Sequence, residues 1–140
     1  MQLTRYTDYA LRVMMHVASQ QEGRLSSIAE IAAMHNISKN HLMKVVQHLG
    51  QGGFLHTVRG RNGGLRLGRL PEQITLGQIV RYTEKNLDLV ECGGCILIGT
   101  CTLPRILCEA AQAFLEVLDK RTLADVLVKP EANLLFNAHA

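Results

Sequence analysis

The sequence predicts a mainly α-helical fold that carries one two-stranded hairpin and ends in a long helix. Three observations predict it. Apolar residues recur at helical spacing in several short stretches before residue 84, a strand–glycine turn–strand pattern fills residues 54–67, and an apolar stripe runs from Leu103 to Leu118. The chain has 140 residues, 47% of them hydrophobic, which suits one domain, or a small domain with an added arm. It lacks Trp and has three Tyr and three Phe, so its core must be aliphatic.

A first helix is expected over Tyr9 to Ala18, with Ala10, Val13, Met14 and Val17 on one side, and Gly23 ends that unit. Ser27-Ile28-Ala29-Glu30 has the form of a capping box, in which the Ser hydroxyl takes the Glu30 N–H and the Glu side chain reaches back. The helix it opens runs to about Met34, His35-Asn36 makes a turn, and Ile37 tucks inward. Ser38 then caps a third helix, Lys39 to about Gly50, with Leu42, Val45, Val46 and Leu49 on its apolar side. Its other side shows Lys39, Asn40, His41, Lys44, Gln47 and His48. Phe54 to Arg59 reads as a strand, Gly60-Arg61-Asn62-Gly63-Gly64 as a tight turn and Leu65-Arg66-Leu67 as the returning strand. Thr75 caps a helix through Ile79, Val80 and Thr83. Lys85 to Gly99 reads as loop, and a long helix begins at Leu103 with Pro104 in its first turn, where proline is tolerated. Its stripe is Leu103, Leu107, Ala110, Phe114, Val117 and Leu118, an apolar face suited either to dimerisation or to packing within the chain.

Two short helices joined by a tight turn, the second polar and basic, form a helix-turn-helix pattern, and the hairpin after it is a wing. The expected fold is therefore a winged helix-turn-helix with a two-stranded wing and a long C-terminal dimerisation helix. Residues 1–71 would read DNA, 72–129 would form a cysteine loop and dimerisation helix, and 130–140 a tail. Charge supports this division. Residues 31–71 contain no Asp or Glu but carry Lys39, Lys44, Arg59, Arg61, Arg66 and Arg69, whereas nine acids face six Lys and Arg from Glu72 onward. Candidate DNA contacts are Ser38, Lys39, Asn40, His41 and Lys44 on the third helix and Arg59, Arg61, Asn62 and Arg66 on the wing. Asn can pair with adenine edges, Lys can reach guanine or phosphate, and Arg at a hairpin tip suits the minor groove. A phosphate-binding nucleotide loop is disfavoured, because no Gly-Lys-Ser/Thr follows the wing glycines.

The cysteines are Cys92, Cys95, Cys101 and Cys108, spaced C-x2-C-x5-C-x6-C, with no histidine between His56 and His139. No export signal or membrane-length apolar run is evident, so a cytoplasmic protein with reduced thiols is expected. Clustered thiols of this kind usually hold a metal. A structural zinc site is one alternative, although the spacing is not the doubled C-x2-C of zinc ribbons. A redox enzyme built on Cys92-Gly93-Gly94-Cys95 is another, but the strand–helix–strand setting is missing and no catalytic residue is indicated.

Several segments resemble the winged-helix iron–sulfur regulator family. They are Leu3-Thr4-x-x-Thr7-Asp8-Tyr9-Ala10-Leu11-Arg12, Ile37-Ser38-x-x-His41-Leu42-Met43-Lys44-Val45-Val46 and Val58-Arg59-Gly60-x-Asn62-Gly63-Gly64-Leu65-Arg66-Leu67. Leu87-x-Leu89-Val90-Glu91-Cys92 and Thr122-Leu123-Ala124-Asp125 look most like its nitric-oxide-sensing branch. The resemblance implies a homodimeric transcriptional repressor on two-fold symmetric double-stranded DNA, an iron–sulfur cluster on Cys92, Cys95 and Cys101, and nitric oxide as signal. The first gap, x2, is shorter than the family pattern. Family members with a 2Fe–2S cluster place a histidine where this chain has Pro104, so 4Fe–4S is favoured. The family's aspartate, donated by the partner subunit, matches Asp8. Cys108 stands as an alternative ligand or a buried packing residue, the latter being the more common fate of such a cysteine. A same-fold regulator that senses iron or thiol oxidation, with or without a cluster, is the alternative.

Overall fold

In the computed structural model, which describes residues 1–127, six helices and one hairpin follow in the order α1 (Arg5–Ala18), α2 (Ile28–His35), α3 (Lys39–Gln51), β1 (Leu55–Val58), β2 (Gly64–Leu67), α4 (Leu76–Thr83), α5 (Leu103–Asp119) and α6 (Leu123–Val126). The expected tail, 130–140, lies outside the described residues. The architecture is the winged helix-turn-helix with a long C-terminal helix.

α1 starts one turn earlier than the apolar pattern suggests, at Arg5, because polar groups rather than a stripe define its start. The Thr4 hydroxyl accepts the Thr7 N–H at 3.3 Å. Glu84, just beyond α4, accepts the Thr4 N–H at 2.9 Å and the Thr4 hydroxyl at 2.6 Å. A carboxylate thus faces the positive end of α1. α2 opens on Ser27, whose hydroxyl accepts the Glu30 N–H at 3.1 Å. Only half of the expected capping box forms, since the Glu30 carboxylate turns instead to Arg24 at 3.0 Å. His35 is still helical, and Asn36 closes α2 in the left-handed region at φ 53°, a conformation that asparagine tolerates. Ser38 caps α3 by accepting the His41 N–H at 3.2 Å.

The wing pairs Leu55 with Leu67 and Val58 with Gly64, antiparallel. Ser26 adds a bridge to Leu65, with N–H···O distances of 3.0 and 2.7 Å, which ties the wing to the start of α2. Gly64 permits this approach, because a Cβ there would lie 2.9 Å from the Ser26 carbonyl oxygen. α1, α2, α3 and the wing close over one aliphatic core that includes Val13, Met14, Ile31, Leu42, Leu49 and Leu65. Each such fully covered side chain contributes roughly 1.5–3 kcal/mol by leaving water.

That core does not stop at residue 71. Ile74, Ile79 and Leu123 belong to it. A bridge from Thr75 to Thr122, with Leu123 N–H bonded to Ile74 O at 2.9 Å, brings α6 back beneath α1. α5 is fixed to α4 by the Arg81–Asp119 ion pair at 2.7 Å. No helix among the described residues is long and apolar enough to cross a membrane.

Candidate nucleic-acid interface and cysteine loop

α3 divides along its length. Leu42, Val45, Val46 and Leu49 are buried in the core, which leaves Lys39, Asn40, His41, Lys44 and Gln47 exposed on the outer side. Ser38 is exposed too, with its hydroxyl engaged in the cap. His48 departs from the expected outer face. It stacks on Tyr82 with ring centroids 4.2 Å apart, and its Nδ1 lies 2.9 Å from the Tyr6 hydroxyl. Tyr82 also donates to the His48 carbonyl at 2.8 Å. Helical spacing alone could not show that α1 and α4 enclose this position. On the wing, Arg59, Arg61, Asn62 and Arg66 are all exposed. The outer side of α3 and the wing thus form a surface without acidic residues, and its donor groups suit phosphates and base edges.

The cysteines lie in a segment without regular structure between Thr83 and Leu103, and at the start of α5. Short turns run through it: Cys95 N–H bonds to Cys92 O at 3.2 Å, and Cys101 N–H to Leu97 O at 3.1 Å. Gly94 adopts φ +77°, which lets the chain reverse between the first two cysteines. All four thiols are free, with Cys92 half-buried and Cys95, Cys101 and Cys108 exposed. In the single copy, Cys108 is open to solvent rather than buried within its own chain. It shares a cavity of about 430 Å³ with Cys92, walled by Val90, Leu107 and Leu115. Among the described residues, no three metal-ligating side chains already converge on one point.

Asp8 sits half-exposed in the first turn of α1, and the Arg12 Nε is 3.1 Å from both of its carboxylate oxygens. This local ion pair was not anticipated from the sequence, although its i, i+4 spacing was a visible signal. Glu84 is the other unanticipated group. It also accepts from the Thr7 hydroxyl, which in turn receives the Thr83 hydroxyl at 3.0 Å. Burial pushes the Glu84 carboxyl up, but the hydrogen bonds from Thr4 and Thr7 outweigh it and hold the pKa below the usual range.

The apolar stripe of α5 is left largely uncovered by its own chain. Leu103, Ala110, Phe114 and Val117 are exposed, Leu107 and Leu118 are half-buried, and Leu115, outside the expected stripe, is the one buried residue of the helix.

Residues 3–129 match Rrf2, a family described as an iron-dependent transcriptional regulator. The chain belongs to the Rrf2 family. This Rrf2 regulator is 48% identical to the HTH-type transcriptional regulator NsrR of Bacillus subtilis, over 94% of this chain and 93% of that one. Among solved structures, it is similar to CymR, the global cysteine regulator of B. subtilis, at 30% identity and a TM-score of 0.77, over 91% of this chain and 96% of that one. It is also similar to T. potens IscR, at 25% identity and a TM-score of 0.74, over 99% and 88% of the two chains. As an Rrf2 regulator it acts on transcription and is not an enzyme.

Proposed function

We propose that this Rrf2 regulator is a homodimeric repressor whose grip on a two-fold symmetric operator is set by an iron–sulfur cluster that senses nitric oxide. The observation that carries this reading is the accessible loop that presents Cys92, Cys95 and Cys101 as free thiols beside an uncovered apolar helix. Soft thiolates on a short loop fit an iron–sulfur cluster. The partner subunit's Asp8 would supply the fourth ligand, a hard donor that suits an exchangeable position on iron. Without a histidine at Pro104, the donor set favours 4Fe–4S over 2Fe–2S. When bound, the cluster supplies iron that can take up nitric oxide.

The chain's own residues do the rest. The exposed stripe of α5 pairs two copies, and residues 1–71 read DNA while 72–129 hold the cluster. Ser38, Lys39, Asn40, His41 and Lys44 enter the major groove, and Arg59, Arg61, Asn62 and Arg66 follow the minor groove and backbone. Two recognition helices must lie roughly 34–36 Å apart to meet both half-sites. A bond from Asp8 of one subunit to a group held by the cysteine loop of the other would fix that spacing, and its loss would release it. In a single copy, Asp8 is paired with Arg12 instead.

Cys108 is the rival fourth ligand, since it opens on the same cavity as Cys92. Anaerobic purification with an absorbance spectrum and iron and sulfide counts tests the cluster itself. Asp8→Ala and Cys108→Ala separate the two ligands. The Asp8 assignment predicts an altered spectrum and an altered response to nitric oxide in Asp8→Ala alone, and the reverse pattern assigns the bond to Cys108. Protein that is colourless and carries zinc would overturn the proposal.

A further inference from the structure

One buried titratable side chain lies outside both surfaces. His16, in α1, is 6% exposed. Its Nδ1 lies 3.2 Å from Nε2 of His35, the last residue of α2. The two rings meet edge-on, with centroids 5.3 Å apart and an interplanar angle of 71°. On its other side, His16 Nε2 lies 3.6 Å from Glu30 Oε1 and has no hydrogen-bond partner. Glu30 is held by Arg24 at 3.0 Å.

The gap between the two ring nitrogens has room for one proton. In the neutral tautomer whose His35 Nε2–H donates to His16 Nδ1, the remaining N–H of His16 lies on the Glu30 side. One added proton keeps this bridge, because either ring can be the cation while the other accepts. A second added proton puts an N–H on both sides of the gap. The acceptor is then gone and two like charges face each other.

We propose that the His16–His35 pair is an acid-release joint, which clamps α1 to the end of α2 while it carries at most one positive charge and parts when both rings are charged. The charged groups around it set the order of events. Glu30 on α2 favours the first charge, while Arg12 on α1 and Arg24 in the connection between the helices oppose further charging. Burial, then His16, then Arg12 lower the His35 pKa, which moves release to the acid side of the ordinary imidazole range. His35 is followed directly by Asn36, Ile37 and the Ser38 cap of α3, so parting the joint shifts the recognition helix. The consequence for DNA rests on the reading of α3 given above.

The test compares wild type with His35→Gln, whose amide can donate or accept but cannot become charged. The probe is a duplex selected from random sequence by the wild-type protein near neutral pH. His41 and His56, exposed on the basic surface, are present in both proteins, so any effect they have cancels in the ratio of dissociation constants. That ratio is expected near one at about pH 7.5 and to rise about tenfold by about pH 5, with wild type the weaker binder. A flat ratio overturns the joint. Ring titrations of His16 and His35 by NMR on wild type decide the matter independently of DNA binding and of the variant's folding. One ring should stay neutral until signals at the α1–α2 contact move, and two charged rings with that contact unmoved would overturn the proposal. If the joint titrates as described but neither protein binds DNA at any pH, the DNA reading has failed instead.

Discussion

The winged head and the cysteine arm contain similar apolar residues and treat them in opposite ways. In the head, Val13, Met14, Leu42 and Leu49 are wholly covered. From Glu84 to Asp119, Leu115 is the only buried residue, and Ile96, Leu97, Ile98, Phe114 and Val117 face solvent. α1, α3 and α5 are all amphipathic, so helix patterning does not separate them. They differ in what the same chain supplies: the head closes on itself, while the arm presents thiols and an apolar stripe that a single copy leaves uncovered. The head is a finished fold, and in the function proposed above the arm is the part that a cluster and a second subunit would complete.

The largest effect that sharpens this contrast is in the head. Leu49→Ala should cost about 2–5 kcal/mol in denaturant unfolding, because it opens a cavity in a closed core. Phe114→Ala should leave the stability of the dilute chain nearly unchanged but weaken self-association about tenfold, or about 1.4 kcal/mol, in sedimentation experiments. If Phe114→Ala destabilises the dilute chain as much as Leu49→Ala, the arm is not unfinished and the contrast fails.

What the sequence made legible follows the range of the interactions. Ser27, Ser38 and Thr75 could be assigned as caps because a cap is decided within four residues, and each hydroxyl does accept the expected N–H. The wing was equally local, as its glycines and alternating faces lie within fourteen residues, 54–67. The role of Glu84 is not legible in the sequence because its partners Thr4 and Thr7 lie 80 and 77 positions away. His48 was misplaced for the same reason, its neighbours being Tyr6 and Tyr82. The Thr75–Thr122 bridge and α6 depend on the chain returning to the core, which no periodicity announces. In the site, cysteine spacing pointed to a metal, but whether Cys108 was covered or open depended on packing around α5.

Two smaller effects probe the seam between head and arm. Thr75→Ala should cost about 1 kcal/mol by thermal or denaturant unfolding, since it removes the hydroxyl that accepts the Gln78 N–H at 3.1 Å. Glu84 has a folded-state pKa below its unfolded value, so its stabilisation is present above the ordinary carboxyl range and is lost as pH falls through the folded value. Unfolding measured across the acid range should therefore show a downward step in wild type that is shallower in Glu84→Gln. Equal steps in both proteins would mean that the carboxylate does not hold the start of α1 to the end of α4.

The claim at the centre of the account is that a cluster on the cysteine loop governs how the paired heads hold DNA. Binding of anaerobically prepared protein to its selected duplex, measured before and after nitric oxide is added, tests it most directly. The account predicts tight binding before, at least about tenfold weaker binding after, and weak binding indifferent to nitric oxide in Cys92→Ser, Cys95→Ser and Cys101→Ser. Identical affinity in all of these, with or without nitric oxide, would contradict it.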